Sequence, residues 1–289
     1  MNSFHIYSFT LISGYIFYYI KHEKGSYQKY LPFIVNKAKR LLVPYVFIAA
    51  IWVVPVRIYF WGAKDIVGNY LFGKSPNQLW FLLMLFWVFA IFWLITDIAN
   101  KNPLLCGIVV CILYCIGIFA PSIYCLSRGL QHILFFYIGF LIRKLDLGNK
   151  FFYKLSTLVY IILDIGLFIL CKVISNIDGI LFKVLSLGYT ALLHTVGAIS
   201  AFIILQRCVT YIKNKKFLDF FSEHNMVIYL VHQQLIYFTL VWLNGVVPPI
   251  ILVLINFAVA LTVSTLFSVL MHKTKVTRFL VGSRWTAKS

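Results

Sequence analysis

The chain has 289 residues, of which 62% are apolar, 18% aromatic and only 12% charged; soluble domains run at roughly 45–50% apolar and about 25% charged. This balance excludes a water-soluble enzyme, a secreted disulfide scaffold and a disordered chain. The formal net charge of +18 does not mark a nucleic-acid partner, since no basic domain stands apart from the apolar runs.

The pattern predicts an all-α, polytopic transmembrane helical bundle of about nine spans, a single domain over residues 1–289, because each crossing needs roughly 20 mostly apolar residues. In chain order the segments are 4–20, 41–61, 79–97, 103–124, 130–142, 155–172, 184–206, 226–245 and 249–271. The first, fifth and sixth are short for a crossing. Pro44 and Pro55 fall inside the second, where each removes a backbone donor, so a neighbour or a broken geometry must satisfy the freed carbonyls. Cys106, Cys111, Cys115, Cys125, Cys171 and Cys208 mostly lie in or beside apolar runs. They lack disulfide or zinc spacing and read as small buried hydrophobes, so no metal is expected.

The loops alternate in charge: one set carries 20 Lys and Arg, the other 6. Basic residues resist translocation and face anionic lipid, which places the C-terminus in the cytoplasm, in an integral protein expected in the bacterial inner membrane. By parity over nine spans the N-terminus lies outside. A preceding inside-to-outside helix would bring both ends to the cytoplasm.

Four aromatic-rich segments follow one another: FHIYSFTLISGY (Phe4–Tyr15), KAKRLLVPY (Lys37–Tyr45), LWFLLMLFW (Leu79–Trp87) and IYLVHQ (Ile228–Gln233). Together they resemble the acyltransferase-3 family of integral-membrane O-acyltransferases, especially its fucose 4-O-acetylase-like branch. Tyr7 stands where that branch has a Pro, and the family's first helix, with its Arg and His, has no counterpart. The resemblance implies transfer of an acyl group, commonly acetyl from acetyl-CoA, to a hydroxyl of a surface carbohydrate or lipid-linked sugar. The implied partners are acyl-CoA, that acceptor and membrane lipid. Two other classes stay open: a truncated, inactive membrane scaffold, and a small-solute transporter, which an internal repeat would favour.

Polar side chains inside apolar spans are costly to insert and are the candidates for chemistry. His5 is a candidate base for the acceptor hydroxyl, since imidazole titrates near neutrality; its other reading is an interfacial histidine bonded to water. His132, at the same depth, is a candidate to orient or replace it. His232 shares a helix face with Tyr229 and Gln233 at i, i−3 and i+1. Counting about 10 Å past Asn225 puts it in the cytoplasmic half. It is a catalytic candidate near the donor thioester, with Tyr229 lining the path; packing between helices is the alternative. Ser13 is a substrate contact or a bond across helices beside Gly14, and Trp80 is a sugar-stacking candidate or an interfacial anchor. Arg40 and Arg143 are candidates to clamp coenzyme A phosphates, or inner-rim anchors. His194 and Asp164 are a candidate buried pair on adjacent helices, with structural packing as the other reading.

Overall fold

The structure is a computed structural model that describes residues 5–147, 154–175, 180–212 and 215–283. The described residues form helices and no strand element. Helix α1 (His5–Tyr18) runs into a π-helical turn, Tyr19–Glu23. Helix α2 (Tyr30–Ile48) continues through a second π turn, Ala49–Val53, into α3 (Val54–Trp61). A third π turn (Val67–Leu71) and a 3-10 turn (Asn77–Leu79) lead to α4 (Trp80–Lys101). There follow α5 (Pro103–Phe119), α6 (Leu126–Lys144), α7 (Thr157–Ser175), α8 (Ile180–Tyr211), α9 (Lys215–Leu243), α10 (Pro249–Met271) and the short α11 (Lys275–Leu280).

Among the described residues six helical stretches are long and apolar enough to cross a membrane, including the unbroken Tyr30–Trp61. Pro103–Phe119 and Thr157–Leu170 are apolar but shorter, and α1 has 14 residues. The helices overrun the apolar segments at several ends. Helix α9 starts at Lys215 rather than near residue 226, and α2 at Tyr30 rather than 41, because a helix needs only its own backbone bonds to continue past the hydrocarbon layer. Helix α5 stops at Phe119, short of 124, where Pro121 follows within two residues.

The two prolines do not break the second stretch. Just before Pro55 the backbone widens into the Ala49–Val53 π turn, with Val54 N–H bonding Ala49 O, a local unwinding of the kind that absorbs a lost donor. Pro44 cannot donate to the carbonyl of Arg40. Gly282 approaches that carbonyl so closely that a Cβ there would sit 2.5 Å from the Arg40 oxygen.

The chain divides into two compact units. The first comprises residues 1–29, 91–118 and 130–213. Its core gathers Leu11, Ile142, Tyr160, Ala198, Phe202 and Ile203. Gly14 and Gly139 let α1 and α6 touch backbone to backbone: a Cβ on Gly14 would lie 1.9 Å from Phe136 O, and one on Gly139 1.9 Å from Leu11 O. The second unit comprises residues 30–90, 119–129 and 214–289. Within it Phe33 meets Phe89 edge-on and Trp52 meets Phe238, while α11 packs on α2 and α10 on α9.

Candidate functional site

In the second unit a polar layer forms where the Asn77–Leu79 turn enters α4 beside the middle of α9. Gln78 Nε2 donates to Gln234 Oε1 at 2.5 Å, and Gln234 Nε2 donates back to Gln78 Oε1 at 3.0 Å. Gln78 Nε2 also reaches the Leu230 carbonyl at 3.0 Å. The Tyr229 hydroxyl donates to the backbone carbonyl of Gln78, and Trp52 Nε1 donates to the Val231 carbonyl at 3.2 Å. These contacts, all within residues 229–234, fix how α9 is rotated.

His232 lies one short turn beyond Tyr229, their rings 5.9 Å apart. Its Nδ1 is 3.1 Å from the Ile228 carbonyl and 2.8 Å from that of Tyr229. Carbonyls only accept, so Nδ1 carries a proton, and Nε2 is the nitrogen that holds the lone pair when the ring is neutral. Among the described residues Nε2 makes no hydrogen bond. An imidazole oriented through Nδ1 with Nε2 free is the arrangement a general base needs.

Gln78 touches Tyr229, Leu230 and Gln234, which puts it level with the stretch of α9 that carries His232. The amide that enters the interior is Gln234, 1% exposed, whereas the half-buried Gln233 donates to the Tyr237 hydroxyl at 2.6 Å. Trp80, at the start of α4, stacks under the Arg128 guanidinium, 4.6 Å from the ring centre.

In the first unit the Tyr7 ring is held between two imidazoles. His132 stacks on it at 4.9 Å and 4°, and His194 at 4.2 Å and 22°; Phe135 closes one edge. His132 is buried. The sequence pairing of His194 with Asp164 is not formed: His194 stacks on Tyr7, and Asp164 is set against Ser200. His5 opens α1, but its side chain lies outside the described residues. Ser13 Oγ donates back to the Phe9 carbonyl of its own helix at 2.9 Å rather than across to a neighbour.

The two clamp arginines differ. Arg143 gives Nε and Nη2 to the Glu23 carboxylate, both at 2.7 Å, and Nη1 to the Tyr15 hydroxyl at 2.8 Å. That bidentate hydrogen bond holds the Glu23 carboxyl below the usual carboxylate range, and a phosphate would have to displace Glu23. Arg40 is half-buried on α2 beside Gly282.

Next to Glu23, the π turn carries two groups that the sequence pattern did not single out as functional. Lys21 is buried with its ammonium 4.1 Å over the Trp93 ring, a cation–π contact. Burial lowers its pKa against the pull of Asp97. Burial, then the Lys21 charge, lowers the pKa of His22. A second missed cluster joins α9 to α10: His224 Nδ1 lies 2.7 Å from Ser268 Oγ, and His272 Nδ1 is 2.7 Å from the Ser268 carbonyl. The two rings are 4.6 Å apart. Only the i, i+4 spacing of Ser268 and His272 hinted at it.

Among the described residues no group of three or more His, Cys, Asp or Glu is placed to hold a metal ion. No curated protein and no solved structure matches the chain. The acyltransferase domain model of the acyltransferase-3 family matches residues 1–271, and the apolar helices supply the membrane body such an enzyme requires. The chain belongs to the acyltransferase-3 family and is an integral-membrane acyltransferase.

Proposed function

We propose that the protein moves an acetyl or related acyl group from acyl-CoA to a hydroxyl of a surface carbohydrate or lipid-linked sugar, as in the fucose 4-O-acetylase-like branch. The observation that carries this reading is the orientation of the His232 imidazole, with Nδ1 tied to two carbonyls and Nε2 free. His232 Nε2 takes the proton of the acceptor hydroxyl as its oxygen attacks the thioester carbonyl. The new C–O bond forms, the C–S bond breaks, and the proton passes to the departing coenzyme A sulfur. Tyr229 and the Gln78–Gln234 pair hold the imidazole in place. Trp80 supplies an aromatic face for the sugar. Ser13 and His132 are separate candidates for substrate contact within the first unit. His5, at the start of α1, is the second candidate base.

The basic loops orient the chain with its C-terminus in the cytoplasm, in a bacterial inner membrane, so acyl-CoA arrives from that side. Each unit offers one candidate for its phosphates: Arg40 in the second, and Arg143 in the first, by exchanging Glu23 for a phosphate oxygen. The test is acyl transfer by the purified protein from radiolabelled acetyl-CoA to lipid-linked sugar acceptors. His232→Gln, which keeps the volume and a polar tip, should lower the rate by roughly 10²-fold or more. A full rate in that variant removes His232 from the reaction.

A further inference from the structure

Two histidines that the transfer chemistry does not use meet where the first part of α9 packs on the end of α10. His224 and His272 are each 6% exposed, and Ser268 between them is wholly buried. His224 Nδ1 lies 2.7 Å from the Ser268 hydroxyl oxygen, and His272 Nδ1 lies 3.4 Å from the same oxygen. His272 Nδ1 is also 2.7 Å from the Ser268 carbonyl. A carbonyl only accepts, so this nitrogen carries a proton in either charge state. Nε2 of His272 is shut off from solvent and has no hydrogen bond among the described residues. An added proton has to go there, and it would create a buried, charged donor with nothing to receive it.

The surroundings do not compensate that charge. The His224 ring is 4.6 Å from the His272 ring and 4.4 Å from Phe220. Besides His272, the charges that act on His224 are Glu223 on α9 and Arg278 on α11. Glu223 faces Arg278 at 3.9 Å, and Arg278 Nε donates to the His272 carbonyl at 2.6 Å. The nearby Asp219, Lys273 and Lys275 are exposed. The one close carboxylate is thus shared with a guanidinium, which repels any charge placed on the rings. Two imidazolium rings at this spacing also repel each other. Ser268 is too deeply buried to meet an acyl donor, so its hydroxyl serves to join the two helices while the imidazoles stay neutral.

We propose that His224, Ser268 and His272 form a proton-operated latch, which closes α9 on α10 when both imidazoles are neutral and opens when acid charges them. Imidazole titrates near neutrality and serves such switches elsewhere. The latch lies about 12 Å along α9 from His232, so opening it loosens the helix that carries the proposed base. It stands whether or not His232 is that base, and it is read without activity. Amide hydrogen exchange of segments 216–226 and 264–274 is followed in the full chain in neutral detergent, between about pH 7.5 and 5.5. Each rate is divided by the chemical exchange rate at that pH. The readout is local because His22, in the first unit, also responds to acid. Wild type should exchange slowly at the neutral end and about tenfold faster, or more, at the acid end. Asn offers an amide N–H near the place of Nδ1 and does not titrate. In the double variant His224→Asn with His272→Asn the rise should vanish. Each single variant should keep only part of it, and these decide the matter if the double variant fails to fold. Ser268→Ala should exchange faster throughout and still respond to pH; exchange like that of wild type removes the serine from the latch. A rise as large in the folded Asn variants as in wild type overturns the latch, and so does rapid exchange of wild type at both ends of the range.

Discussion

Gln78, at the entry to α4, and Gln234, in the middle of α9, exchange two side-chain hydrogen bonds across 156 positions of sequence. Each amide answers the other's donor and acceptor, so neither is left unsatisfied in an apolar setting. The pair also sets the rotation of α9, and with it the direction in which His232 presents Nε2.

Replacing one member strands the other. Gln234→Leu should destabilise the protein by about 1–3 kcal/mol, the cost of a buried polar group that has lost its partner, and Gln78→Leu should act similarly. The double replacement should cost less than the sum, because it leaves no orphan amide at the contact. Thermal midpoints of the four proteins in one detergent measure this; additive losses would mean that the pair is not coupled.

Tyr229→Phe separates positioning from chemistry. It keeps the ring against Phe81 but removes the hydroxyl that donates to the Gln78 carbonyl. The expected outcome is a fall in transfer rate of about tenfold or less, well short of the loss in His232→Gln, which removes the base itself. Rates of labelled acyl transfer for the two variants, compared at matched folded fraction, give the ordering.

Hydropathy made the helices legible and their depths only partly so. An apolar run reports the stretch of helix inside hydrocarbon, not where the helix starts, which is why α9 extends eleven residues before the expected 226; the contact of Gln78 with Leu230, beside His232, joins elements far apart in sequence and has no local signal. The i−3 relation of Tyr229 to His232 was visible because a helix repeats every 3.6 residues, and both do belong to the polar layer. What the chain pattern could not show was partners distant in sequence. Nothing local links Tyr7 to His132 and His194, or His224 to Ser268. Nor does the sequence say where the Ser13 hydroxyl bonds: it donates to the Phe9 carbonyl of its own helix.

The α1–α6 contact leaves no room for even one carbon. Gly139→Ala would set a Cβ 1.9 Å from the Leu11 oxygen, and a backbone atom cannot swing aside as a side chain can. Forced separation of two packed helices should cost about 3 kcal/mol, read as a lower thermal midpoint and poor recovery from the membrane. Gly166 on α7 is the control, with nothing within 4 Å of its would-be Cβ. Gly166→Ala should be neutral or raise stability by about 0.5–1 kcal/mol through better helix propensity.

Acidification should weaken the protein in two separate windows, both set by the π turn after α1. The folded pKa of His22 is lowered by burial and by Lys21 from the usual 6.5, so the unfolded chain binds the proton more readily. The stability tied to a neutral His22 is complete above pH 6.5 and drains away as pH falls from there through the lowered folded value. Glu23 titrates further down: its carboxyl is held below 4.5 by Arg143, so that contribution is intact above 4.5 and is lost as pH falls through the depressed folded value. The pair is partly exposed, with side chains 33% and 37% accessible, and solvent screening keeps its worth to about 1 kcal/mol or less. Midpoints of wild type, His22→Gln and Glu23→Gln across this range distinguish the two. His22→Gln should flatten the decline just below pH 6.5 and leave the acid limb. Glu23→Gln should do the reverse, and its deficit relative to wild type should shrink as the acid limb is crossed. A decline just below pH 6.5 that is as steep in His22→Gln as in wild type would assign it to another group.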